Sequence, residues 1–130
     1  MKLAYAIVYV PDVVASIEFF EQALGLKRRF VHESLTYAEL ETGATVLAFA
    51  NLEAANELVA GGCVFAHESE KPLGMELAFV TEDVTVAYER ALAAGAVAVL
   101  VPVLKPWGQT VAYVRTPEGI LIELCTAVSA

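Results

Sequence analysis

The sequence predicts an α+β fold in which a β-α-β-β-β module occurs twice. Each half of the chain starts with a short apolar run, continues with an acidic helix cap and an amphipathic segment, and ends in strand-like runs. The halves also align in places, since YAIVYVPDV resembles ELAFVTEDV and GATVLAFA resembles EGILIELC. Because repeated units rarely cover their own sheets, we expect the modules to pair into one half-open, barrel-like curved sheet. The helices would lie outside it, with a cleft within.

The first module is predicted over residues 1–50. Residues 4–10 form an apolar, aromatic and β-branched run, which is typical of a buried strand. Asp12 stands at a helix N-cap position and Gly25 at a C-cap position. Apolar residues recur between them at helical spacing, at Val13, Ile17, Phe20 and Leu24. Three further strands are predicted, over residues 26–32, 35–40 and 44–50.

Residues 51–73 are predicted to form a linker that holds a short helix near residues 52–59. The second module is predicted over residues 74–130 and repeats the order of the first. In it, a strand over residues 76–80 is followed by a helix cap at Glu82-Asp83. The remaining predicted elements are a helix that ends at Gly95, a strand over residues 97–101 and a closing hairpin.

The closing hairpin contains the most unusual residue of the sequence. Its strands, over residues 110–114 and 120–125, flank the turn Thr116-Pro117-Glu118-Gly119, in which proline presets φ and glycine closes the turn. Glu123 lies between apolar residues of the second strand, neither face of which is polar. A carboxylate in such surroundings needs a metal, a hydrogen-bonded group or water as its partner. We therefore take Glu123 as the starting point for a functional site.

The composition limits the classes of partner. The chain has 130 residues and a net charge of −8. Phosphate backbones would be repelled, so nucleic-acid binding is not expected, whereas a cationic small molecule would be attracted. The hydrophobic share of 58% exceeds the usual ~45–50%. We expect the excess to be buried in a second surface, the interface of a homodimer.

The sequence also predicts a compartment. The uncharged run over residues 91–104 is shorter than the ~18 residues that a membrane span needs, so no membrane partner is expected. The apolar N-terminal run ends at Pro11-Asp12 without a small-residue cleavage site and is interpreted as a strand rather than an export signal. The two cysteines, Cys63 and Cys125, form no disulfide framework. These features predict a protein of the reducing cytoplasm.

The paired repeat, the V-x-D before the first helix and the closing T-P-E-G-I-L-I-E-L together resemble the vicinal oxygen chelate superfamily. That superfamily includes glyoxalase I, fosfomycin resistance proteins, extradiol dioxygenases and bleomycin resistance proteins. The resemblance covers nearly the whole chain and is weakest over residues 51–72. In metal-using members, four ligands come from the first and last strands of each half. The resemblance puts these positions at Tyr5, Leu47, Glu76 and Glu123.

These four side chains are a poor set of metal ligands. Leu47 cannot coordinate, and Tyr5 would first have to ionise from a pKa near ~10. Glu76 and Glu123 remain, and they could hold a hard divalent cation such as Mg²⁺ weakly, or share a proton. We therefore expect no tightly bound metal and no other cofactor, and keep a weak divalent site at the two glutamates as the alternative.

A second resemblance concerns the ligand. Pro106-Trp107-Gly108 is similar to the P-W-G segment of bleomycin resistance proteins, which bind their drug without metal ligands, in grooves shared by a dimer. Aromatic side chains stack there on a flat cationic drug. Core packing is the alternative for each aromatic residue of this chain. The predicted ligand site consists of Tyr5, Leu47, Phe49, Glu76, Trp107 and Glu123.

Three functions are compatible with these features. The preferred one is a metal-independent homodimer that binds a small molecule, cationic or aromatic, with a bleomycin-like drug as the narrower form. The second is a lyase, an isomerase or a dioxygenase-type enzyme in which Glu123 or Glu76 acts as the catalytic base, or both hold a weak metal. The third is a structural dimer module in which Glu123 bonds to Tyr5.

Overall fold

The structure, a computed structural model, describes residues 1–129. In the first module the elements are β1 (Tyr5–Val10), α1 (Val13–Leu24), β2 (Arg28–Val31), β3 (Tyr37–Leu40) and β4 (Val46–Asn51). The linker holds α2 (Leu52–Leu58) and one 3₁₀ turn (Ala66–Glu68). The second module comprises β5 (Leu77–Val80), α3 (Val84–Ala93), β6 (Val97–Leu104), β7 (Thr110–Arg115) and β8 (Leu121–Cys125). Within residues 1–129, every helix is too short or too polar to cross a membrane.

The two modules share one topology. Their strands are ordered β1-β4-β3-β2 and β5-β8-β7-β6 in two four-stranded sheets. In each module the first strand pairs in parallel with the last, and the other pairs are antiparallel. The prediction of an α+β fold with two β-α-β-β-β modules is therefore confirmed. One detail differs from the prediction of a single curved sheet. The strands form two sheets, and β1 and β5 are each the edge strand of one of them.

Both long helices begin at an aspartate. The Asp12 side chain accepts a hydrogen bond from the backbone N–H of Ala15 at 3.0 Å, and Asp83 accepts one from Val86 at the same distance. This is the N-cap interaction that satisfies a free amide of the first turn. α1 ends at Gly25, whose φ of 68° lies in the left-handed region that glycine adopts without strain.

The core continues from one module into the other. The ring of Phe20, on α1, lies 5.1 Å from that of Phe49 in its own sheet. The same ring lies 6.3 Å from Phe79 on β5 of the second module. α1 and α3 also contact each other. Each sheet therefore has one face covered by a shared helical layer, and the modules are paired within one chain.

A buried polar contact also joins the modules. The Ser16 hydroxyl on α1 donates a hydrogen bond of 2.8 Å to Oε1 of Glu118, in the turn between β7 and β8. Ser16 is fully buried and Glu118 is 9% exposed. Because the partners are far apart in sequence, this bond fixes the turn of the second module against the helix of the first.

The linker is attached to the same turn. The Arg115 guanidinium donates hydrogen bonds to the carbonyls of Gly119 at 3.1 Å, Glu70 at 2.9 Å and Ser69 at 3.1 Å. Gly119 has a φ of 87°, and a Cβ built on it would lie 2.6 Å from the carbonyl oxygen of Ala66. The turn therefore needs glycine for two reasons, its backbone conformation and the close approach of the linker.

We expect Ser16→Ala to destabilise the protein by about 2 kcal/mol, since it removes the hydroxyl that donates to the buried Glu118 carboxylate. Urea unfolding followed by circular dichroism measures this loss. Ser129→Ala, at an exposed serine near the end of the chain, is the control and should change stability by less than about 0.5 kcal/mol.

The double variant Ser16→Ala/Glu118→Met should be more stable than Ser16→Ala, because it removes both polar partners instead of leaving one unsatisfied. Equal stability of Ser16→Ala and the wild type would show that this contact does not hold the modules together.

Candidate functional site

Each sheet has one face against the helices and an opposite face, which we call the open face. Leu47, Phe49, Ile122 and Leu124 point into the core. Side chains alternate along a strand, so the neighbours of these residues lie on the open face. In the first sheet the open-face residues are Tyr5, Ile7, Tyr9, Tyr37, Glu39, Val46, Ala48 and Ala50. In the second they are Ala78, Val80, Val111, Tyr113, Arg115, Leu121, Glu123 and Cys125.

Glu123 has a hydrogen-bond partner on the neighbouring strand. The Tyr113 hydroxyl donates a short hydrogen bond to Oε1 of Glu123. The two residues are directly opposite in the β7–β8 pair, where cross-strand side chains are close enough to touch. The hypothesis that Glu123 bonds to Tyr5 named the wrong tyrosine. The tyrosine that contacts Glu123 belongs to the same hairpin.

Glu76 immediately precedes β5 and forms the second half of a carboxyl pair. Burial raises the pKa of Glu76, and the hydrogen bond and charge of Glu123 raise it further. Burial would also raise the pKa of Glu123, but hydrogen bonds from Tyr113, Cys125 and Glu76 outweigh it, and the pKa of Glu123 is lowered. Glu76 is therefore the member that holds a proton more readily, and Glu123 is the ionised acceptor.

This assignment bears on the prediction that Glu123 is a catalytic base. The apolar surroundings of Glu123 alone would raise its pKa, as suits a general base. The hydrogen-bond donors around its carboxylate reverse the direction. The group with the raised pKa is Glu76, which lies beside the strand instead of within it.

Two neutral groups, Tyr113 and Cys125, lie beside the Glu123 carboxylate. Burial, followed by the interaction with Glu123, raises the pKa of the Cys125 thiol to about 11, and the thiol donates a hydrogen bond of 3.7 Å to the backbone carbonyl of Phe79. The pKa of Tyr113 is raised by its hydrogen bond to Glu123 and then by burial. Both groups therefore stay protonated at neutral pH and stabilise the charged form of Glu123.

Trp107 lies at the bend between β6 and β7 and is 64% exposed. Its indole N–H donates to the Gln109 side-chain oxygen at 2.9 Å. The Gln109 amide nitrogen donates to the backbone carbonyl of Thr126, also at 2.9 Å. The ring is thus connected through Gln109 to the end of β8 and remains largely exposed to solvent.

Two predicted ligand residues lie in the core. Phe49 is fully buried against Phe20, so core packing is the correct interpretation of this aromatic residue. Leu47 also belongs to the core cluster. Ile7 and Ala78 occupy equivalent positions in the first strands of the two modules. Ile7 pairs with Ala48 and Ala78 pairs with Glu123, so Ala48 is the counterpart of Glu123. The assignment of Leu47 was wrong by one residue, which places its side chain on the opposite face of the sheet.

The sequence prediction missed a polar cluster on the open face of the first sheet. Oε2 of Glu39 accepts a hydrogen bond of 2.7 Å from the Tyr37 hydroxyl, and Oε1 lies 3.3 Å from Nη1 of Arg29. Burial and then Glu39 raise the pKa of Tyr37 to about 12. Glu39 is opposite Ala48, so it holds the position that Tyr113 has in the second sheet. The alternation of Tyr37 and Glu39 on β3 was the signal available in the sequence.

The donor set does not fit a tightly bound transition metal. In the described part of the chain, no three His, Cys, Asp or Glu side chains are grouped to hold a metal ion. With Leu47 replaced by Ala48, the four positions that correspond to metal ligands carry Tyr5, Ala48, Glu76 and Glu123. Catalytic zinc sites use about three protein donors, and this set offers two carboxylates. Tyr5 is 54% exposed and lies on the other sheet.

Solved structures show the same fold. A glyoxalase-related enzyme from Fulvimarina pelagi superposes with a TM-score of 0.82 at 23% identity, over 98% of this chain and 88% of that chain. A glyoxalase/bleomycin resistance protein/dioxygenase family enzyme from Burkholderia phytofirmans PsJN gives a TM-score of 0.81 at 22% identity, over 99% and 100% of the respective chains.

Sequence comparison extends this likeness to the family. The chain is 30% identical over 125 residues to the uncharacterized protein YraH of Bacillus subtilis (strain 168), an alignment that covers 95% of this chain and 97% of that protein. The family model of the Glyoxalase/Bleomycin resistance protein/Dioxygenase superfamily matches residues 2–124. On this evidence, the chain belongs to the glyoxalase/bleomycin resistance protein/dioxygenase superfamily.

Proposed function

We propose that the protein is a metal-independent homodimer of the cytoplasm that binds a cationic small molecule at Glu76 and Glu123. The observation that carries the proposal is the carboxyl pair itself. Tyr113 keeps Glu123 ionised, while the charge of Glu123 disfavours ionisation of its neighbour Glu76. A cation between the two side chains would remove this repulsion. Water and the neutral donors of the protein do not remove it, because they carry no positive charge. The net charge of −8 would draw the same ligand towards the site.

Metal independence is supported by the chemistry of the donors. Two carboxylates on one face suit a single positive charge, whereas Zn²⁺ or Ni²⁺ sites require additional nitrogen, sulfur or oxygen donors. Tyr113 already donates to Glu123 and Cys125 donates to the carbonyl of Phe79, and both are neutral. They offer poor replacements for the histidine or carboxylate that a tight site would need.

The homodimer is supported by exposed apolar side chains on the open faces and on the edge strand β6. Ile7 and Val80 are exposed on the two open faces. On β6 the exposed residues are Val97, Val99, Val101, Val103 and Leu104. Surfaces of this kind are typical of an interface. A second copy that covered β6 would remove these apolar side chains from water.

The narrower form of the proposal is a flat cationic drug of the bleomycin type. Trp107 supports it, since the hydrogen bond through Gln109 fixes an exposed indole near the end of β8. A ring stacked on the indole would place its positive charge within the field of Glu123. A cation over an indole face gains about 1–2 kcal/mol.

An enzyme is the second candidate, and the raised pKa of Glu76 favours it. A general base is most effective when its pKa lies near the working pH, and burial together with Glu123 shifts Glu76 in that direction. A lyase or isomerase acting on a carbon acid would use Glu76 as the base and the Tyr113–Glu123 pair to position it. Turnover that disappears in Glu76→Gln but persists in Glu82→Gln would favour this candidate over pure binding.

Metal removal tests the first part of the proposal. Purified protein should contain far less than one equivalent of divalent metal, and added Mg²⁺, Ni²⁺ or Zn²⁺ should leave the melting temperature within about 1 °C of the metal-free value. Elemental analysis and thermal-shift assays measure these quantities. Stoichiometric metal that survives dialysis against EDTA would overturn metal independence.

Trp107→Ala should weaken the binding of metal-free bleomycin by about tenfold, because it removes the stacking surface. Isothermal titration calorimetry measures the change. Trp107→Phe, which keeps a ring, should lose less affinity than Trp107→Ala, and Leu58→Ala on the surface of α2 is the control. If the wild type does not bind the drug at micromolar concentration, the drug-binding form of the proposal is wrong.

Affinity for a monovalent ammonium ion should depend on pH in two steps. It is highest where both carboxyls are ionised, falls as the pH drops through the raised pKa of Glu76, and falls again through the lowered pKa of Glu123. Glu76→Gln should remove the upper step and weaken binding at neutral pH by about tenfold.

Glu82→Gln is the matched control for this titration, because it removes one exposed carboxylate of the same type next to the cap of α3. Its pH profile should follow that of the wild type. An identical profile in Glu76→Gln and the wild type would contradict the role of Glu76.

A further inference from the structure

An apolar groove runs along the outer side of β1, beneath the linker. Its volume is about 220 Å³. Among its lining side chains are Ile7, Tyr9, Val64, Phe65, Leu73 and Met75. No acidic or basic side chain lines it within the described part of the chain. The groove is therefore suited to an uncharged, apolar group.

The groove leads to the carboxyl pair. A smaller cavity beside it shares four of its residues, Val8, Ala66, Leu73 and Met75. Leu77, Ile120 and Leu121 complete the apolar lining of this cavity. Its single ionisable side chain is Glu76, one member of the carboxyl pair. The shared lining makes the groove and the cavity neighbours, so the apolar section along β1 lies next to a carboxyl group.

The wall formed by the linker is fixed in place. Phe65 and Ala66 are buried, and the carbonyls that follow them accept hydrogen bonds from Arg115. On the outer side, Val64 and Met75 are 72% and 62% exposed. The groove therefore has a rigid inner wall and an apolar rim in contact with water, and a ligand that covered the rim would gain hydrophobic free energy.

We propose that the groove binds the alkyl chain of an amphipathic amine whose ammonium group lies at Glu76 and Glu123. This inference rests on the proposed cation site and adds the class of ligand, a primary alkylamine or a drug that carries one. If a methylene group takes up roughly the ~30 Å³ of a water molecule in the liquid, the groove has room for a chain of about seven carbons.

The position of the charge favours this occupant over a second copy of the chain. The groove ends at a carboxylate that already repels its neighbour, and a protein surface from another copy with a net charge of −8 would add to that repulsion. An alkylammonium ion supplies the apolar group and the positive charge in one molecule.

Calorimetric titration with n-alkylammonium ions from propyl to decyl tests the proposal on the full-length protein. Affinity should rise by about three- to fourfold for each added methylene and reach a plateau near octyl. The matched n-alkanols and n-alkanoates should bind far more weakly, because they lack the positive charge. Sedimentation measured with each ligand reports the oligomeric state at the same time.

Three variants separate the apolar section from the charged one. Leu73→Trp fills the groove and Met75→Ser removes its exposed rim; both should abolish the dependence on chain length while leaving propylammonium affinity within about twofold. Glu123→Gln should weaken every amine by about tenfold and keep the dependence on chain length. Val86→Ser, an exposed apolar position on α3, should behave as the wild type does.

Each alternative outcome contradicts a specific claim. If all amines bind equally well and still require Glu123, the groove does not hold the chain and only the cation site remains. If alkanols and amines bind with the same affinity and the same dependence on chain length, the groove binds the alkyl chain and the proposed cation site is wrong. If Met75→Ser changes the oligomeric state and not the dependence on chain length, a second copy occupies the groove. If no amine binds, both proposals are overturned.

Discussion

The shared helical layer between the modules is the constraint on which the rest of the structure depends. One helix can cover only one face of a four-stranded sheet. Phe20, on α1, contributes to the cores of both modules at once. Because α1 and α3 lie side by side on the same side of the sheets, the opposite faces are left open. The Ser16–Glu118 bond then fixes the closing turn against α1, and that turn determines the register that brings Glu123 opposite Tyr113.

Much of the fold was predictable because its signals are local. Helical periodicity, the two aspartate caps and the Thr116–Gly119 turn are each contained in a few residues, and each element lies where the pattern indicated it. Strand ends were less accurate: β3 begins at Tyr37 instead of residue 35. The separation of the two sheets was not predictable, because strand periodicity carries no information about which edges remain unpaired.

The site was only partly predictable, for a related reason. With a period of two, an error of one residue moved the counterpart of Glu123 from Ala48, on the open face, to Leu47, in the core. The lowered pKa of Glu123 depends on the hydrogen bond from Tyr113, which the register of β7 against β8 places opposite Glu123. The groove beneath residues 63–66 was invisible in the sequence, because an irregular linker held by Arg115 leaves no periodic pattern.

The two modules have departed from each other in a way that bears on function. In the second sheet a carboxylate on the last strand is held by a tyrosine on the strand beside it. In the first sheet the carboxylate is on the neighbouring strand, where Arg29 neutralises its charge and Tyr37 donates a hydrogen bond to it. Glu39 is therefore already paired, whereas Glu123 faces another carboxyl group. Among the described residues, the negative charge of the second open face has no ion-pair partner, whereas that of the first has Arg29, and that asymmetry is the physical reason to expect the ligand there.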